Sequence, residues 1–196
     1  MNLISIEFFV FFILVVIIYF LLPGKLQWLW LLISSGFFYF KNANTDQCLV
    51  FLAILAVNYL GTMLLSKTEE NKQKLVFNIL LILDVLCLVC FKYSAFLIAI
   101  INKLLSLFGT ALPIDFVVYF DSLAWDFAPP KISYFMLIII GYVVDVYWGR
   151  VEALKNPGKF ALLASYFPLM TSGPIIEYEN VGDSLLGGSK HRFSYE

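Results

Sequence analysis

The chain has 196 residues, 61% of them hydrophobic and 14% charged, with a formal net charge of -1 at pH 7. An ordinary soluble domain is about half apolar and a quarter charged, so this balance calls for lipid as the solvent and leaves no polar half that could fold separately in water. The near-neutral charge excludes the basic face that nucleic acid binding needs, and one integral membrane domain is expected over residues 1–196.

Roughly 20 apolar residues cross the hydrocarbon core of a bilayer. Leu3 to Leu22 meets that length, carries Glu7 instead of a basic start, and ends at Pro23 and Gly24 without a small-residue cleavage site. It is therefore expected to stay as a helix, not to leave as a signal peptide. Leu26 to Phe40 is a shorter segment rich in Trp and Phe, and Gln47 to Ser66 is a span with Asn58 and Tyr59 at its middle. A polar stretch, Lys67 to Lys74, separates it from the next span, Leu75 to Tyr93. Ala95 to Phe108 is weaker, containing Asn102 and Lys103, and reads as interfacial. Gly109 to Lys131 mixes aromatics with Asp115, Asp121 and Asp126 and ends in Pro129 and Pro130, an irregular or half-embedded loop. Ile132 to Trp148 is a span, and Phe160 to Ile176 another, broken by Pro168 and by Gly173 and Pro174. Glu177 to Glu196 is a polar tail. The whole reads as an all-α, polytopic transmembrane bundle of about six to seven membrane-embedded helices.

Short cytoplasmic loops collect Lys and Arg. Lys67, Lys72 and Lys74 thus place their loop inside and the N-terminus outside. If Ala95 to Phe108 does not cross, Arg150, Lys155 and Lys159 fall inside as well, and that arrangement is preferred.

Ionisable groups at membrane depth cost several kcal/mol unless paired or wetted. Asp84 lies mid-helix, eight residues before Lys92 and beyond its direct reach. A structural aspartate bonded to another helix and a functional group are both open readings. Asp145 near the end of its span, with Tyr142, Tyr147 and Trp148 as an interfacial belt, leaves the same choice, with Arg150 as a bonding partner or a water-filled chamber as its setting. Pro168 and Ser172-Gly173-Pro174 free backbone groups, either as a packing kink or as a break facing a substrate path. Cys48, Cys87 and Cys90 lie in apolar runs without metal-site spacing and read as buried packing. His191, between Lys190 and Arg192 in the tail, reads as solvated or phosphate-facing. No metal or bound cofactor is expected, and the residues by themselves name no reaction.

The string PPKISYF at 129–135, then GYVVDVY at 141–147 and Gly149, resembles the Pro-x-Gly-Ile-Ser-Phe and Tyr-x-x-Asp-x-Tyr-x-Gly pattern of the membrane-bound O-acyltransferases at the same spacing. Phe167-Pro168 and Ser172 to Ile175 resemble that family's Phe-Pro and Ala-Gly-Pro-Ile, and Phe91 to Tyr93, Asn58-Tyr59 and Ser34 to Tyr39 match landmarks upstream, in order. The likeness runs from about Leu21 to the tail and is nearest the branch of alginate O-acetylation and teichoic-acid D-alanylation proteins. It implies transfer of an acyl group from a cytoplasmic thioester such as acetyl-CoA, through a funnel in the bilayer, to a hydroxyl of a cell-envelope polysaccharide. Partner proteins and a multi-pass place in a bacterial cell membrane are implied with it.

Ser133, Asp145, Tyr147, Gly173 and Pro174 match the pattern as structural or chamber-lining positions. The resemblance places the family's essential histidine later than this stretch, so no catalytic residue is assigned here, and the chain is expected to be the N-terminal portion, inactive alone. Lys131 stands where the pattern has glycine, Met136 to Ile138 where it has Thr-Phe-Gln, and Glu177 where arginine is common. Those departures favour a second reading, a non-catalytic membrane scaffold or export component.

Overall fold

A computed structural model describes residues 5–110 and 126–172. The described residues form eight helices and no strand: α1 (Ile6–Leu21), α2 (Gly24–Asn42), α3 (Thr45–Lys67), α4 (Glu70–Lys92), α5 (Ser94–Leu107), α6 (Ile132–Tyr147), α7 (Pro157–Ser165) and α8 (Phe167–Ser172). The all-α expectation is met. Two helices, α3 and α4, are long and apolar enough to cross a membrane, and α1, α6 and most of α5 are shorter apolar helices.

Local chemistry sets the helix ends. Ser5 starts α1 by accepting from the Phe8 amide, and Pro23, which has no N–H to give, separates α1 from α2. Gln47 reaches back from the first turn of α3 to accept from the Asn44 amide, half of a capping box. Asn156 caps α7 through Oδ1 to the Gly158 and Lys159 amides, with Pro157 at the first helical position.

The tight centre is α3, α4 and α6 side by side, with α7 wedged against α2, α3 and α6. Phe51, Leu65, Leu80, Phe135, Ile139, Val143 and Phe160 fill it. Gly61 lets α3 and α4 meet, since a Cβ there would sit 2.2 Å from a methyl of Leu80. A second cluster joins α1 and α2 to α7 and α8, with Phe167 among the rings of Phe8, Phe11, Phe12 and Phe38 at centroid distances of 5.4–6.4 Å. Trp30 Nε1 donates to the Val15 carbonyl at 3.1 Å, fixing α1 on α2.

Outside this core the surface is greasy. On α4, Leu75, Ile79, Ile82, Leu83, Val85 and Leu86 are all exposed. Continuous apolar faces of this kind are rare on soluble monomers, and they fit a membrane protein.

Phe77 near the start of α4 stacks on Tyr147 at the end of α6, so the α3–α4 turn and the α6–α7 link share one end of the bundle. Lys25, Lys67, Lys72, Lys74, Arg150, Lys155 and Lys159 gather toward that end. The chain leaves α4 at the opposite end and is back there at Ala128 to Tyr134, because both stretches line one cavity. Most of the irregular loop expected over Gly109–Lys131, residues 111–125, lies outside the described residues, as do Gly173, Pro174, Glu177 and His191.

Three expectations change. The part of the expected span Phe160 to Ile176 that lies among the described residues, up to Ser172, is two short helices, and their break falls at Tyr166 instead of Pro168, because proline in the first turn of α8 gives up no helical hydrogen bond. The freed Phe167 amide donates to Ser35 Oγ at 3.3 Å. Tyr142 is not in an interfacial belt. It is 2% exposed, and its hydroxyl accepts from the Leu154 amide at 2.7 Å. Among the cysteines, Cys48 is buried and Cys87 half-buried, but Cys90 faces outward.

Candidate functional site

Five segments of the chain meet at the other end of the bundle, where a cavity of about 550 Å³ lies between helix ends. Asn42 from the end of α2, Gln47 from the start of α3, Phe91 and Lys92 from the end of α4 and Ser94 from the start of α5 line it. Ala128 to Tyr134 complete the wall, bringing Ser133 and Lys131 with them. Ser133 stands in the first turn of α6, on the wall of this cavity.

Lys131 sits at the N-cap of α6 with φ 63°, the left-handed region, and is the one described non-glycine residue there. A glycine at this place, as in the family pattern, would adopt that conformation freely, whereas an L side chain costs about 1–2 kcal/mol. The substitution keeps the glycine-type backbone and adds a cation, whose ammonium lies 5.6 Å from the centre of the Tyr134 ring.

Asp145 and Tyr147 do not join Ser133. Twelve residues of helix separate Asp145 from it, about 18 Å at 1.5 Å per residue. Asp145 is 5% exposed, and its Oδ1 lies 3.4 Å from Nη1 of Arg150, whose guanidinium covers the Trp148 ring at 4.4 Å. Tyr147 stacks on Phe77 with centroids 4.1 Å apart. At this end the matched positions hold the α6 terminus to α4 and to the following loop, and that loop is fastened by two tyrosines. Tyr59 donates to the Lys155 carbonyl at 2.7 Å, while Tyr142 receives the Leu154 amide.

A third polar group lies deep between α3 and α4. Asn58 Nδ2 donates to Asp84 Oδ1 at 2.8 Å and to the Ile54 carbonyl at 3.2 Å. Thr62 Oγ1 returns a hydrogen bond to the Asn58 carbonyl. All three residues are buried, and Asp84 Oδ2 and Asn58 Oδ1 face no donor. The aspartate bonded to another helix is thus what the structure contains. Sequence reasoning singled out Asp84 and Asn58 separately but missed their pairing and missed Thr62, one helical turn from Asn58. That i, i+4 spacing was the available signal.

Where the family pattern has Thr and Gln, Met136 and Ile138 are buried among apolar neighbours. No cluster of three or more His, Cys, Asp or Glu residues that could hold a metal occurs among the described residues.

The chain is similar to proteins named probable alginate O-acetylase AlgI. It is 26% identical to that of Azotobacter vinelandii over 170 residues, covering 85% of this chain and 32% of the relative. The identity to that of Pseudomonas aeruginosa is 28% over 170 residues, 85% of this chain and 31% of the relative. To that of Pseudomonas putida it is 29% over 100 residues, 51% of this chain and 19% of the relative. The chain spans about a third of the length of the first two relatives. No family model matches it, and no solved structure does. These relatives support membership of the membrane-bound O-acyltransferase family, the one its motifs resemble.

Proposed function

We propose that this chain is part of a membrane-bound O-acyltransferase that moves an acyl group, acetyl by the names of its relatives, from a cytoplasmic thioester such as acetyl-CoA to a hydroxyl of a cell-envelope polysaccharide. The observation carrying this reading is the similarity to alginate O-acetylases over 85% of the chain, with Ser133 on a cavity wall. The bundle crosses the bacterial cell membrane several times with its lysine-rich end in the cytoplasm, so the cavity opens on the outer side, where a polymer arrives. In that reading α3, α4 and α6 form the frame. The base that deprotonates the acceptor hydroxyl is a histidine supplied from outside these 196 residues, and partner proteins present the polymer.

The scaffold reading is favoured by one observation, the buried Met136 and Ile138 in place of polar groups. The two separate in membrane vesicles given acetyl-CoA labelled in the acetyl group. The gene product as the cell makes it is expected to place alkali-labile label on polysaccharide, and these 196 residues expressed alone are expected to place none. Labelling by neither supports the scaffold. Equal labelling by both removes the need for a histidine from elsewhere.

A further inference from the structure

One acid inside the bundle has no part in the acyl transfer read above. Asp84 lies eight residues before Lys92, the nearer end of α4, which is about 12 Å at 1.5 Å per residue. It is 3% exposed and belongs to neither ion pair found among the described residues, Lys41–Glu7 and Arg150–Asp145. A carboxylate alone at such depth is costly unless its charge is matched or removed.

Its surroundings supply no countercharge. On its own helix the half-buried Cys87 thiol stands one turn on. From α3 come Asn58 and Thr62, neither of which titrates, while Tyr59 is turned to the Lys155 carbonyl. α6 runs antiparallel to α4, and its Asp145 and Tyr147 are held at the far end by Arg150 and Phe77. The other buried side chains of α6 are apolar except Tyr142, whose hydroxyl is bonded to the Leu154 amide.

The hydrogen bonding of the cluster is one proton short. Its donors are all committed: Asn58 Nδ2 to Asp84 Oδ1 at 2.8 Å and to the Ile54 carbonyl at 3.2 Å, and Thr62 Oγ1 to the Asn58 carbonyl. The two atoms left over, Asp84 Oδ2 and Asn58 Oδ1, are both buried acceptors. A proton on Asp84 Oδ2 removes the charge and turns that oxygen into the donor that Asn58 Oδ1 lacks. A metal cation fits less well. A hard cation gathers about six oxygens, and α3 and α4 meet so closely one turn away that a Cβ on Gly61 would sit 2.2 Å from a methyl of Leu80.

We propose that Asp84 and Asn58 form an intramembrane proton-binding site, in which Asp84 holds one proton on Oδ2 and donates it in a hydrogen bond to Asn58 Oδ1. The proton is taken from water when the α3–α4 hairpin assembles and returned when it opens, and no other covalent bond changes. The site goes beyond the acyltransferase reading and does not depend on it.

The test uses the full chain in phosphatidylcholine nanodiscs at neutral pH. The infrared difference spectrum of wild type minus Asp84→Asn is expected to show the carbonyl band of a protonated carboxyl; carboxylate bands in its place overturn the proposal. Asparagine suits the purpose because its amide offers the donor that Oδ2–H supplies, so the pairing with Asn58 survives. Asn58→Leu is expected to move the band to higher frequency, as a carboxyl freed of hydrogen bonds does, and an unmoved band overturns the pairing. Should that variant not fold, pH decides. A proton held by the folded form and released by the unfolded form makes stability fall as pH rises. In mixed SDS micelles the unfolding equilibrium of the wild type is therefore expected to rise relative to that of Asp84→Asn by up to about tenfold per pH unit above neutrality. A ratio that does not change with pH overturns the proposal. So does a wild-type midpoint that differs between sodium and choline chloride while that of Asp84→Asn does not, since a cation then takes the place of the proton.

Discussion

Replacing Asn58 with leucine should reveal what the Asn58–Asp84 contact contributes. Leucine branches at Cγ as asparagine does but is bulkier, so an apolar contact with α4 is kept while the 2.8 Å donor to Asp84 Oδ1 is lost. Since Asp84 Oδ2 already lacks a donor, the carboxyl is left with no hydrogen bond at all in an apolar interior. Removing one partner of a buried polar pair that includes an acid costs about 3 kcal/mol. Asp84→Leu is far milder, because Asn58 keeps its bond to the Ile54 carbonyl at 3.2 Å and an expensive buried group disappears; it should stay within about 1 kcal/mol of wild type. The double variant should resemble Asp84→Leu, giving a coupling energy of about 3 kcal/mol. Side-chain hydrogen bonds between membrane helices average about 0.6 kcal/mol, so the cycle distinguishes an ordinary contact from one that holds an acid. The assay is reversible unfolding by SDS in mixed micelles, followed by helical circular dichroism. A coupling of about 0.6 kcal/mol or less would refute the argument that Asn58 is the donor on which Asp84 depends.

Lys131→Gly should raise stability by about 1 kcal/mol through relief of its φ of 63°, read as a higher denaturant midpoint in the same unfolding assay. Gly61→Ala should destabilise by about 1–3 kcal/mol, since the new methyl overlaps Leu80; Leu80→Ala added to it should recover part of that loss. Phe167→Ala should cost about 3–5 kcal/mol, because that ring fills the centre of the α1–α2–α8 cluster, and limited proteolysis should then cut near Tyr166. A membrane-permeant maleimide should label Cys90 rapidly and Cys48 slowly, following their exposed and buried positions; equal rates would contradict the packing of α3.

The long elements were legible because hydropathy alone marks them. Gln47–Ser66 and Leu75–Tyr93 fall within a few residues of the observed α3 and α4, and Ile132–Trp148 differs from α6 by one. What stayed hidden was set by contacts between helices. Asp84 finds Asn58 only when α3 and α4 pack with Gly61 at their crossing, and no local pattern encodes that register. Proline marked a break near residue 168, but where the helix stops depended on Ser35, 132 residues away, being ready to accept the Phe167 amide. The cavity is assembled from the ends of five helices, so Lys92, Ser94 and Lys131 carried no shared signal in the sequence. Ser133, Asp145 and Tyr147 were picked out together by the family resemblance, yet one helix holds Ser133 at one end and the other two at the opposite end.

The bond from Tyr59 to the Lys155 carbonyl joins residues 96 positions apart, and that separation becomes a delay during synthesis. At roughly 5–20 residues per second, α3 waits on the order of 5–20 s for the strap that will fasten it to α6 and α7. During that wait its neighbour is α4, made directly after it, and the Asn58–Asp84 contact is internal to this hairpin. The acid can thus enter the bilayer already satisfied on one oxygen, as part of a pair and not as a lone helix. A ribosome pause or a rare codon between residues 92 and 132 would lengthen the life of that hairpin without exposing Asp84, whereas a pause within α4 before residue 84 would leave Asn58 as the waiting partner.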